Sequence, residues 1–172
     1  IGETGLDFYR DWVDPEPQRA AFRDQLELAR QLSLPVILHM RGDVEREITN
    51  TLKEYPDVRA VFHSFDGSAS LRDFVLERGD FFGLGGLMTR AGSDRLREVL
   101  RPVPLESILL ETDSPYLVPK GVKERRNTPA NLPIIAEHVA RLYEVPIERV
   151  AEQTSSNARE LFALPTMVGG AV

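Results

Sequence analysis

The chain has 172 residues, 42% hydrophobic and 28% charged, the composition of one globular domain or of part of a larger one. It has no cysteine, which excludes disulfides and thiolate metal sites and is compatible with a reducing cytoplasm. A net charge of −6 excludes a broad basic footprint for nucleic acid, so any phosphate recognition must come from a few local arginines or from cations.

The first residue is Ile1, with no Met ahead of it, and the segment is already strand-like. The expectation is that the natural protein begins upstream. Ile1 to Leu6 reads as the end of a strand followed by a glycine turn. Asp7 to Arg10 is aromatic and charged. Pro15 and Pro17 punctuate before a helix in which Phe22, Leu26, Ala29 and Leu32 recur at helical spacing. Leu34 to His39 is the next strand. Val44, Ile48 and Leu52 mark an amphipathic helix that ends by Pro56. Arg59 to His63 is a third strand. Ser68 can cap a helix carrying Leu71, Phe74 and Val75, which Gly79 ends.

Phe81 to Leu87 is a glycine-rich fourth strand, so something passes close to its backbone. Ser93 opens a helix with Leu96, Val99 and Leu100. Ile108 to Asp113 is a fifth strand, stopped by Pro115. Alternation along it puts Leu110 and Thr112 on one face and Glu111 and Asp113 on the other. Pro129 starts a helix with Leu132, Ile135, Val139 and Leu142 on one face, and Asn127 or Thr128 is its N-cap. Ile147, Val150 and Ala151 read as one short helix, and Ala158, Leu161 and Phe162 as another. Residues 1–164 make the domain, and 165–172 a flexible tail. No repeat is visible, no run spans a membrane, and no signal-peptide pattern is present.

Strands alternating with helices across short connections imply a parallel sheet with helical crossovers. Both a doubly wound sheet and a (β/α) barrel suit that pattern. A full barrel usually needs about 250 residues, so the five strands read here fit one only if its first three are missing.

Polar residues stand at one end of these strands: Glu3 on the first, His39 on the second, His63 on the third and Asp113 on the last. In parallel α/β folds the carboxyl ends share one face, so residues far apart in sequence meet there. Two carboxylates and two imidazoles suit Zn²⁺, Mn²⁺ or a similar divalent ion. Taken singly, each has a plainer reading. A histidine at a strand end can be structural, Glu3 can be a solvated terminal charge, and Asp113 can cap a turn through Ser114. Coincidence favours the site, because two of the three histidines end strands in the same phase. The third, His138, lies within a helix as surface or core filler.

Gly2-Glu3-Thr4-Gly5-Leu6-Asp7-Phe8-Tyr9-Arg10 resembles the Gly-Glu-x-Gly-Leu-Asp motif of the TatD-type metal-dependent deoxyribonucleases. Pro35 to Arg41, Phe62 to Ser68, Glu111 to Leu117 and Arg126 to Asn131 are similar to further blocks of that family, in the same order. The resemblance implies the carboxyl-terminal part of a (β/α)8 TIM-type barrel of the metal-dependent hydrolase kind. It implies two divalent ions, Mg, Mn or Zn, bridged by Glu3. His39 and His63 would complete one site, and Asp113 would bind the other ion and hold or deprotonate the attacking water. DNA would be the substrate.

Two features depart from the family. Its amino-terminal His-x-His pair, which would serve the metal at Asp113, has no counterpart here, so at most one weak metal site is expected in this chain. The acid that usually follows the second-block arginine is replaced by Gly42. Arg41 is a phosphate clamp or else an ion pair with Asp43 or Glu45. Arg126, in the basic loop from Lys120, is a substrate contact or a solvated charge. Asp7 suits a supporting role, and Glu111 a buried hydrogen-bonding one. A barrel hydrolase acting on an amide, lactone or phosphotriester fits the same residues. So does a non-catalytic fragment that self-associates through open sheet edges.

Overall fold

The computed structural model describes residues 1–10 and 12–165. Five parallel strands form one sheet in the order in which they occur in the chain. They are β1 (Thr4–Asp7), β2 (Val36–Arg41), β3 (Ala60–Phe62), β4 (Phe81–Leu84) and β5 (Ile108–Leu110). The crossovers carry α1 (Pro15–Leu32), α2 (Glu45–Lys53), α3 (Ala69–Arg78) and α4 (Asp94–Leu100), and α5 (Leu132–Tyr143) and α6 (Ile147–Phe162) follow β5. A doubly wound sheet reverses its strand order at a switch point. No reversal occurs here, so every connection steps the same way, as in a barrel wall.

Strand alternation divides the core in two. Val36, Leu38, Ala60, Phe62, Phe82, Leu84 and Ile108 face the helices and pack with Phe22 and Leu26 of α1, Ile48 of α2, Val75 of α3 and Val139 of α5. The intervening residues Val61, Phe81 and Leu109, with Ile37 beside them, face the other way and are covered by Ala158, Leu161 and Phe162 of α6. The second face is therefore plugged with apolar side chains near the amino ends of the strands. Two residues further along, the same face presents His39, His63, Gly83 and Glu111.

Several elements differ from the sequence reading. Residues 147–162 form one helix, although the polar stretch Gln153 to Asn157 reads as a break. Thr154 Oγ1 donates to Val150 O inside the helix, and the buried Asn157 Nδ2 donates to Leu105 O and Ile108 O at 2.8 and 2.7 Å. Asn157 thus ties α6 to the start of β5 and the turn before it, while Ala151 is exposed. Leu32, read as part of the buried stripe of α1, is exposed in the last turn. β5 stops at Leu110 and β4 at Leu84, followed by a 3-10 turn over Gly86–Thr89. Ser68 does cap α3, accepting from Leu71 N at 3.1 Å, and Gly79 ends that helix in the left-handed region. Residues 166–172, most of the expected tail, lie outside the described residues. Among the described residues no helix is long and apolar enough to cross a membrane.

Candidate active site at the mouth of the sheet

Glu3 does not end a strand; it lies immediately before β1. Parallel register explains why it still reaches the histidines. Gly5 of β1 is paired with His39 of β2, so Glu3 and Asp7, two residues either side of Gly5, flank the His39 ring. Glu3 Oε1 lies 2.8 Å from His39 Nδ1, and Asp7 Oδ2 lies 3.3 Å from His39 Nε2. Gly5 makes this possible, since its φ is +149° and a Cβ there would stand 1.9 Å from the backbone oxygen of His39.

His63 follows β3 directly and is held in the same way by a different acid. Its Nδ1 is 2.9 Å from Glu111 Oε1, which also accepts from Ser64 N at 2.6 Å. Its Nε2 faces Asp113 Oδ1 at 3.5 Å and Glu3 Oε1 at 3.8 Å. Here too a glycine clears the space: a Cβ on Gly83 would meet Glu111 Oε2 at 2.3 Å. The Glu111 hydrogen bond, helped by the negative charges of Glu111, Glu3 and Asp113, outweighs burial and lifts the His63 imidazole from 6.5 to about 9.

The two rings are thus arranged alike. One nitrogen of each points at the Glu3 carboxylate, and the other is held by a carboxylate that fixes ring orientation and tautomer. That is the arrangement in which imidazole nitrogens serve a cation, and the set of two imidazoles with Glu3 and Asp113 is chemically suited to one. Among the described residues, no group of three or more such side chains stands open around a single point for an ion. The donors pair with one another instead, with the Glu3 oxygen directly on His39 Nδ1.

Asp113 is placed by a loop, so strand alternation does not set its direction. Its φ is +55°, and its carbonyl accepts from Tyr116 N at 2.7 Å. The loop is braced by Asn127, which is 3% exposed. Asn127 Nδ2 donates to Thr112 O at 2.6 Å and Leu117 O at 3.3 Å, and its Oδ1 accepts from Thr128 N and from Asn131 Nδ2. It is therefore a cross-brace rather than an N-cap, and Thr128 makes no side-chain cap either. Only the tertiary contact between residues 112–117 and 127–131 reveals this role.

Arg41 pairs with neither Asp43 nor Glu45. Its guanidinium lies 4.2 Å from the centre of the Tyr9 ring, and Glu45 instead accepts from Ser68 N and Oγ. Arg126 is exposed on its loop. His138 lies half-buried on α5, away from this cluster, and burial depresses its pKa.

A family model described as TatD related DNase matches residues 1–163. Over 171 residues the chain is 43% identical to a protein of Erwinia tasmaniensis named 3'-5' ssDNA/RNA exonuclease TatD, covering 95% of this chain and 66% of that protein. It is 34% identical over 165 residues to YabD of Bacillus subtilis, named an uncharacterized metal-dependent hydrolase, covering 95% of this chain and 65% of that one. The crystal structure of YjjV, a TatD homologue from Escherichia coli, matches with a TM-score of 0.87 at 32% identity, over 95% of this chain and 63% of its own. The chain therefore spans slightly less than two-thirds of the length of the relatives it matches.

Proposed function

The chain belongs to the TatD related DNase family, and from that premise we propose that it carries most of a metal-dependent hydrolytic site that cleaves phosphodiester bonds in DNA. The observation that supports this most strongly is the convergence of His39 Nδ1 and His63 Nε2 on one oxygen of Glu3, at 2.8 and 3.8 Å, with Asp7 and Glu111 holding the opposite nitrogens. The named activity of the Erwinia relative points the same way.

Glu3, His39 and His63 would hold one divalent ion, Mg, Mn or Zn, and Glu3 with Asp113 would contribute to a second. When bound, such ions acidify an attacking water and take up charge on the leaving oxygen. The protein side chains supply the rest. Asp7 and Glu111 keep the rings from turning. Asp113, backed by the Asn127 brace, accepts the proton of the attacking water at its carboxylate. Arg41 and Arg126, both exposed, offer guanidinium forks to substrate phosphates. With no His-x-His pair in the sequence, this chain holds one ion weakly through Glu3, His39 and His63 on this reading. A cytoplasmic location, and self-association through the outer strands β1 and β5, belong to the same reading.

The test is release of label from end-labelled single-stranded DNA by the protein in Mg²⁺ or Mn²⁺. Asp113→Asn should slow it by about 100-fold or more, the scale of a lost general base. Absence of DNA cleavage together with turnover of a lactone or ester would overturn the proposal in favour of the second hydrolase reading.

A further inference from the structure

Three side chains on the turn after β1 are not used by the site just described. Tyr9 and Trp12 are 62% and 77% exposed, in a chain that buries Phe22, Phe62 and Phe82 almost completely. Large rings left in water mark a surface that meets something. They are not bare hydrophobic rings, however. The Arg10 guanidinium lies 4.8 Å from the centre of the Trp12 ring and 5.6 Å from that of Tyr9, and Arg41 lies 4.2 Å from Tyr9. With Arg10 over it, the indole still shows most of its surface to solvent.

The turn is pinned to the site. Tyr9 N donates to Asp7 Oδ1 at 3.0 Å, and the other oxygen of the same carboxylate lies 3.3 Å from His39 Nε2. Phe8 N donates to Arg41 O at 2.9 Å, and Gly42 packs so close that a Cβ would stand 2.8 Å from Tyr9 N. Arg41 is two residues beyond His39 on β2, so it shares the face that carries the site.

We propose that Tyr9, Trp12 and the guanidiniums of Arg10 and Arg41 form a stacking platform for an unpaired base of a single-stranded nucleic acid, beside the Glu3–His39 pair. Aromatic faces take any base, and stacked guanidiniums keep their N–H edges free for phosphate. A duplex keeps its bases stacked on one another everywhere but at its two ends, so the platform favours single strands. This inference deepens the nuclease reading and rests on it for the role of the bound strand, but the binding can be measured without catalysis.

Trp12 is the only tryptophan in the chain, so its fluorescence reports the platform directly. In EDTA, a short oligothymidylate should quench it, whereas a relaxed, covalently closed circular duplex, which has no ends, should not. Anisotropy of the labelled oligomer should show Trp12→Leu and Tyr9→Leu binding about 5- to 100-fold more weakly, with Tyr9→Phe restoring the affinity. An abasic oligomer of equal length should bind no better than Trp12→Leu binds the intact one. Equal affinity for abasic and intact oligomers would overturn the platform. Hydrolysis of bis(p-nitrophenyl) phosphate, which has no base, separates the two proposals. If quenching persists while the protein leaves both that ester and end-labelled single-stranded DNA intact in Mg²⁺ or Mn²⁺, the hydrolase reading fails and the platform stands.

Discussion

Replacing Glu111 with glutamine separates charge from shape at His63. The amide oxygen can still accept from Ser64 N, now at 2.6 Å from Glu111 Oε1, while the negative charge beside His63 Nδ1 is lost. The Glu111 hydrogen bond is the largest cause of the lift of His63 from 6.5 to about 9. That difference corresponds to about 3 kcal/mol of preference for the imidazolium. Solvent reaches both side chains, 14% and 19% exposed, and trims the effect to about 1–2 kcal/mol. Because the folded value is the raised one, the contribution is complete below pH 6.5 and disappears as pH rises through about 9. Glu111→Gln should therefore cost about 1–2 kcal/mol at pH 6 and almost nothing at pH 10. Urea unfolding in EDTA at the two pH values measures this, and NMR titration of the His63 Cε1 proton should show its midpoint fall toward the ordinary range. An equal cost at both pH values, or a His63 that still titrates near 9 in the variant, would refute the assigned cause.

A divalent ion at His63 Nε2 has to displace a proton below about pH 9, so its binding at pH 7 should release protons. Calorimetry in buffers of different ionisation heat reads this as a buffer-dependent enthalpy. Gly83→Ala drives a methyl to 2.3 Å from Glu111 Oε2. It should destabilise by about 1–3 kcal/mol and lower the His63 midpoint, whereas a methyl that merely crowded the strand would leave the midpoint alone. Asn127→Ala strips the partners from Thr112 O and Thr128 N in a buried brace. It should cost about 2–3 kcal/mol, with hydrogen exchange accelerating across 112–117 and staying slow in β2 and β3.

The elements and their order were legible in the sequence because period and punctuation are local. Apolar spacing marked α1 to α5, Ser68 and Gly79 marked both ends of α3, and the alternation of strand and helix announced a parallel sheet. The family blocks announced the rest of the fold, now matched over 95% of the chain by the Escherichia coli homologue. Local signals failed where a distant partner decides. Gln153 to Asn157 reads as a break until Asn157 is seen to find the carbonyls of Leu105 and Ile108. Asn127 reads as a cap until its loop meets the one that carries Asp113.

From the sequence alone came the candidate residues: two acids and two histidines of the right chemistry in the right order. What brings them together is register. Gly5 stands opposite His39, and Gly83 leaves room for Glu111, so each imidazole is held between carboxylates contributed by other strands and loops. Pairing between residues 34 apart in β1 and β2 and 26 apart in β4 and β5 sets those contacts, and no local pattern encodes it.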